Sequence, residues 1–260
     1  MKAPRHNLDR PEATPGVDTV QQHTLATSVA LHLFPGVLAA TAFYVTAPLL
    51  VDAGYPAIGA AILAAGIVIV GVELGWLLRE AHRRTGSWRV GDVLPYRPGP
   101  FTWRKGLLAL ALLVWGVAVS MLGIGGSIKD SFFSWMPQWA LDPLPASFAD
   151  TGSSSAQILI AVGYLVFLVF LAPWVEELYF RGYLLPRISR FGAWSVLINV
   201  TLFASYHLWK PWDLVNLVLI LAPTYYMVWR LKDIRIGIAV HIALNGLGWT
   251  LNVAPDLLLD

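Results

Sequence analysis

Seven stretches of this chain, at about 24–51, 54–78, 106–128, 156–175, 191–209, 214–229 and 236–254, are apolar and almost free of charged residues. Most reach the roughly 20 residues that carry a helix across the hydrocarbon of a bilayer. Backbone in lipid must satisfy its own N–H and C=O groups, so runs of this length read as helices. The expected fold class is all-α: a polytopic transmembrane helical bundle of about seven spans. Composition agrees, with 57% hydrophobic and only 13% charged residues, about half the charge density of an ordinary soluble domain. The mean hydropathy of +0.61 excludes a single soluble globule. With no cysteine, disulfides, thiol catalysis and Cys-based metal sites are excluded, so any metal would need His, Asp or Glu. A formal net charge of +2 points to no nucleic-acid partner; the expected surroundings are the lipid bilayer.

Loop charge sets the orientation. Between the second and third runs stand Arg79, Arg83, Arg84, Arg89, Arg97, Arg104 and Lys105 against Glu80 and Asp92, which marks that segment as cytoplasmic. The loop at 129–155 carries one base against Asp130, Asp142 and Asp150 and falls outside. Arg187 and Arg190 fall inside, as do Arg230, Lys232 and Arg235, while Asp256 and Asp260 fall outside. The protein is expected to be integral and multi-pass in a prokaryotic cell membrane, with its N-terminus cytoplasmic. Residues 1–23 mix both charges with Pro11 and Pro15, lack an apolar period and read as a disordered cytoplasmic tail, not a signal peptide. Residues 24–155 form N-terminal transmembrane helices and loops, with an aromatic stretch at 131–139 expected to anchor at the membrane interface. Trp76, Trp103 and Trp229 stand beside basic residues at span ends, as headgroup anchors do.

Ionisable groups inside spans are costly and mark function unless a local partner explains them. Glu73, six residues before Arg79, is expected to reach the interface or pair with an arginine. In the fourth span Glu176 and Glu177 interrupt apolar sequence on both sides. Adjacent helical residues point about 100° apart, and Glu177 lies four residues before Arg181, the favourable order for an ion pair on one helix face. Glu177 thus has a local explanation, and Glu176 has none. The fifth span places Asn199, Phe203 and His207 on one face, and the seventh places His241 and Asn245 at i, i+4. The economical solution is one polar cavity among the fourth, fifth and seventh spans.

A carboxylate, two imidazoles and a carboxamide can activate water and stabilise an oxyanion, the minimum for peptide hydrolysis. Two arrangements are open. Glu176, His207 and His241 can form a zinc site with an open water position, although the HExxH helix motif is absent. Alternatively, Glu176 and His207 share the water while His241 and Asn245 donate to the tetrahedral oxygen.

The Glu-Glu-x-x-x-Arg of Glu176, Glu177 and Arg181, the Phe-x-x-x-His of Phe203 and His207 and the His-x-x-x-Asn of His241 and Asn245 follow one another in order. Together they resemble the three motifs of the CAAX protease and bacteriocin-processing (CPBP, or Abi) family of intramembrane endopeptidases. The resemblance covers about 156–248 and implies that 156–255 is a catalytic membrane core. It implies that Glu176 and His207 activate the water, that His241 and Asn245 serve the oxyanion, and that Glu177, Arg181 and Phe203 support them. It favours a glutamic-type mechanism with no cofactor over a zinc enzyme, and a membrane-anchored peptide or protein as substrate: CAAX-like, a C-terminal sorting segment or bacteriocin-type. Prenyl-protein members carry a further span after the one with the third motif, where only Asp256 to Asp260 follow here, so farnesyl processing is not carried over. Cleavage is expected near the cytoplasmic side. The alternatives are a catalytically silent immunity or partner-binding protein of the same fold, and a proton-coupled transporter. On straight helices, at about 1.5 Å per residue, Glu176, His207 and His241 fall at different depths. A break at Pro173 or a re-entrant stretch before Phe191 is expected to reconcile them.

Overall fold

The computed structural model describes residues 20–144 and 153–255. They form helices α1 (Leu25–Asp52), α2 (Ile58–Thr85), α3 (Trp103–Ser120), α4 (Ile124–Phe132), α5 (Gln138–Leu141), α6 (Ser155–Phe191), α7 (Trp194–Tyr206), α8 (Leu214–Leu231) and α9 (Ile234–Asn252), with no strand among the described residues. Among the described residues six helical segments are long and apolar enough to cross a membrane, and α7 is not one of them. Of the seven expected spans the fifth is the short one: α7 has 13 residues, about 20 Å at 1.5 Å per residue against a roughly 30 Å hydrocarbon layer. It stops because His207 leaves helical geometry (φ −74, ψ 53) and Lys210, kept out of the α region before Pro211 (φ −144, ψ 64), does not resume it.

The helices turn apolar side chains outward as well as inward. Phe34, Val45, Leu49, Ile67, Val114 and Leu159 are exposed, which suits lipid as the solvent. The core is aromatic where α6, α7 and α8 meet: Phe180, Tyr183, Phe203, Tyr206 and Tyr225 are nearly inaccessible. α6 packs on α2 and α9, α7 on α1 and α8, and α3 closes the far side against α8 and α9. Gly36 of α1 sits against the backbone carbonyl of Tyr206, where any Cβ would collide. Small residues at such crossings let membrane helices approach closely.

Pro173 does not break α6. The residues before it keep helical dihedrals (Leu171 φ −70, ψ −49; Ala172 φ −61, ψ −53), and the helix runs on through π-helical turns at Tyr164–Leu171 and Glu177–Leu184 to a 3-10 end at Leu185–Phe191 that is kinked at Ile188 (φ −118, ψ 16). Of the expected tail, residues 1–19 lie outside the described residues. Residues 20–23 are tied down: His23 N–H donates to the Arg187 carbonyl at 2.8 Å, and Gln22 Nε2 to that of Pro186 at 3.1 Å.

The basic segments gather at one end of the bundle. Arg187, almost fully buried, donates to the carbonyls of Tyr183 (2.7 Å) and Val93 (3.3 Å), fastening the basic loop to α6. Asp233 caps α9 and accepts from Lys105 (2.7 Å) and twice from Arg235 (2.8 Å each), joining the start of α3 to that of α9. Burial pushes the Asp233 carboxyl up, but hydrogen bonds from Arg235 and Lys105 outweigh it and hold the group down at about 2. A depressed folded value means that this contribution is complete above the ordinary carboxylate value and fades as pH falls through about 4 towards 2. Asp233→Asn is expected to cost about 1.5–3 kcal/mol, the range for hydrogen bonds to charged groups. Thermal unfolding in detergent, compared at neutral and acid pH, checks both.

Candidate active site

α6 presents its two adjacent carboxylates to different surroundings, as their roughly 100° separation requires. Glu176 lines an internal cavity of about 530 Å³ together with Phe203, His207, Lys210, His241 and Asn245. Glu177 does not line it. Its carboxylate forms an ion pair with Arg181, and both side chains are fully buried. The Arg181 guanidinium also lies 3.8 Å from the centroid of the Tyr225 ring and 5.4 Å from that of Phe203. The motif residues that sequence spacing assigns to one site are thus brought together, with Glu177 and Arg181 behind the cavity wall.

The partners of the imidazoles define their proton positions. His207 Nδ1 stands 2.9 Å from the Phe203 carbonyl, which can only accept, so Nδ1 carries the hydrogen and Nε2 a lone pair. His241 Nδ1 stands 3.0 Å from Glu177 Oε1 and donates to it. His241 Nε2 is then 3.7 Å from Glu176 Oε2, too far for a direct hydrogen bond. Phe203 meets both rings edge-on, at 4.9 Å for His207 and 6.2 Å for His241, and so sets the spacing between them. Asn245 Nδ2 donates to the Leu168 carbonyl at 2.8 Å, which fixes the plane of its carboxamide. Asn199 is turned elsewhere, with Nδ2 2.8 Å from His32 Nε2 of α1.

Glu176, His207 and His241 line one cavity despite the different depths expected of straight helices. His207 sits at the C-terminal end of α7, and α6 bends at Ile188 (φ −118, ψ 16), before Phe191, rather than at Pro173. Gly237 of α9 makes the Glu177–His241 contact possible, because a Cβ there would strike Glu177 Oε2 and lie 3.3 Å from Arg181 Cδ. Gly237→Ala is expected to lose about 1–3 kcal/mol of stability by overpacking and to lower turnover by displacing Glu177 from His241. Unfolding temperature and cleavage rate measure the two effects.

Two features depart from expectation. Glu73 does not reach the interface or an arginine. It is fully buried in a π-helical stretch of α2, Ala65–Leu74, near the Tyr206 hydroxyl and the Glu176 carboxylate. Six helical residues turn through about 600°, which puts Glu73 and Arg79 on different sides; Glu80 takes the arginines instead, pairing with Arg83 and Arg84. The isolation of Glu73 in apolar sequence, like that of Glu176, is the signal that marks it. The cavity also opens at the end of the bundle away from the basic segments, bordered by Leu141, Pro143, Lys210 and Asp213, and not towards the end where cleavage is expected from sequence.

Among the described residues no three His, Asp or Glu side chains are grouped to hold a metal ion. Glu176, His207 and His241 line the same space without forming a ligand set, so the zinc arrangement does not fit the side chains as they stand.

Fold and site together define a polytopic helical membrane protein with a carboxylate–imidazole cavity inside the bundle. Residues 158–247, from α6 into α9, match the family described as type II CAAX prenyl endopeptidase, Rce1-like. The match contains all three motifs, agrees with the resemblance they carry, and supports an intramembrane endopeptidase. Neither the curated proteins nor the solved structures searched contain a match.

Proposed function

We propose that this protein is an intramembrane endopeptidase that hydrolyses a peptide bond in a membrane-anchored peptide or protein by carboxylate-activated water. The observation that carries this reading is the division of labour in α6. Glu177 is committed to Arg181 and His241, whereas Glu176 faces the cavity without an ion pair to Lys or Arg, its nearest basic group being His241 Nε2 at 3.7 Å.

Glu176 accepts a proton from a water that His207 Nε2 orients through its lone pair. The water oxygen bonds to the carbonyl carbon, and the charge on the carbonyl oxygen is met by Asn245 Nδ2 and by His241. His241 donates from Nε2 only as an imidazolium, and the adjacent Glu177 carboxylate offsets that charge, the role a buried acid plays behind a catalytic histidine. Arg181 holds Glu177 in its ionised form. The C–N bond then breaks as Glu176 returns the proton to the leaving amine, giving a carboxylic acid and an amine with Glu176 regenerated; the acid's proton passes to the amine or to water on release. No step is routed through a metal.

Terminal proteomics of membranes containing the wild type or Glu176→Gln tests the activity: peptide termini present only with the wild type are expected. Identical terminal sets would refute the peptidase reading. Active purified protein is expected to carry no stoichiometric zinc and to survive chelation; one zinc per active chain by elemental analysis would replace the water-only mechanism.

A further inference from the structure

The cavity wall has two parts. Its deep part is buried and holds Ala172, Glu176, Phe203 and His241; its shallow part is partly exposed and holds Leu141, Pro143, Lys210, Asp213 and Asn216. The shallow residues belong to the turn after α5 and to the segment that starts α8. No cavity-lining residue comes from 79–105, 187–190 or 230–235, where the arginines and lysines are concentrated. Between the site and that basic end lie Phe180, Arg181, Tyr183, Leu184, Leu185 and Ile188, each 1% exposed or less. The site therefore has an accessible side away from the positive charges and a packed floor towards them.

Clusters of Lys and Arg flanking spans are retained on the cytoplasmic side. We infer that the cavity is entered from the non-cytoplasmic face, and that the substrates are membrane-anchored proteins or peptides whose scissile bond lies on that side of the anchor rather than prenylated C-termini in the cytosol. The walls suit such a segment. Ala39, Phe43 and Ala61 make one side apolar, and Lys210 and Asn216 make the other polar, so an extended peptide leaving an apolar anchor can be matched on both faces. The substrate class rests on the peptidase reading above; the direction of access does not.

The natural absence of cysteine makes the test clean. Single cysteines are placed at Asn216 in the shallow wall, at Gln138 near the same end and at Arg89 in the basic loop, and cells are treated with a membrane-impermeant maleimide before and after permeabilisation. Asn216→Cys and Gln138→Cys are expected to label fully in intact cells and Arg89→Cys only after permeabilisation, with the same pattern in a Glu176→Gln background. Labelling of Asn216→Cys only after permeabilisation, or in neither condition, overturns the access side. Glu176-dependent termini confined to cytoplasmic segments overturn the substrate class and leave the peptidase intact. Expected labelling with no Glu176-dependent terminus refutes the peptidase, and the substrate class with it, but not the direction of access.

Discussion

Glu176→Gln is expected to reduce peptide cleavage by about 10²–10⁴-fold while the protein unfolds at an unchanged temperature. Glutamine preserves the volume and planarity of the side chain but cannot take the proton that the attacking water must lose. Little stability should be lost, because Glu176 makes no ion pair with Lys or Arg and its nearest imidazole nitrogen is 3.7 Å away. The neighbouring acid cannot substitute for it, since Glu177 lies outside the cavity, bound to Arg181 and His241. Cleavage of a substrate identified by terminal proteomics, measured with purified protein, checks the prediction. A variant as active as the wild type would remove Glu176 from the mechanism.

The second large effect is structural. Arg181→Met is expected to destabilise the fold by about 3–5 kcal/mol, the cost of leaving the other member of a buried ion pair uncompensated. No water is at hand to solvate the orphaned Glu177, because both side chains are completely buried. The loss of the guanidinium from the face of Tyr225, 3.8 Å away, adds to the cost. Replacing both partners, as in Glu177→Leu with Arg181→Met, is expected to recover much of the stability, since apolar pairs of similar size often replace buried ion pairs without loss. Activity should not return, because His241 then has no acceptor at Nδ1. Unfolding temperatures and cleavage rates of the three proteins separate the roles, and recovery of turnover in the double variant would show that Glu177 does not support His241.

Apolar runs longer than a bilayer is thick leave the backbone one economical solution, so the helical bundle is legible without coordinates. The i, i+4 spacings of Glu177 with Arg181 and of His241 with Asn245 are likewise legible, because helix periodicity alone decides which side chains share a face. The fifth expected span is shorter than its apolar run for a reason hydropathy does not register. Phe191 to Trp209 carries no Asp, Glu, Lys or Arg, yet the turn at His207 and the proline at 211 end α7 after 13 residues. Glu73 escapes for a related reason: distance along the chain to Arg79 suggests a pair, whereas rotation about the helix separates them.

By itself the sequence determined that the chain is a multi-span helical membrane protein, which end of it carries the positive charge, and which carboxylate of Glu176 and Glu177 has a partner nearby. These are properties of one segment at a time, governed by hydrophobic length, periodicity and charge. Only the tertiary structure decided that His241 donates to Glu177, that Glu73 lies beside Glu176, and that the cavity opens away from the basic end. Each depends on how separate helices cross, which is decided by close contacts such as those at Gly36 and Gly237 between residues far apart in the chain.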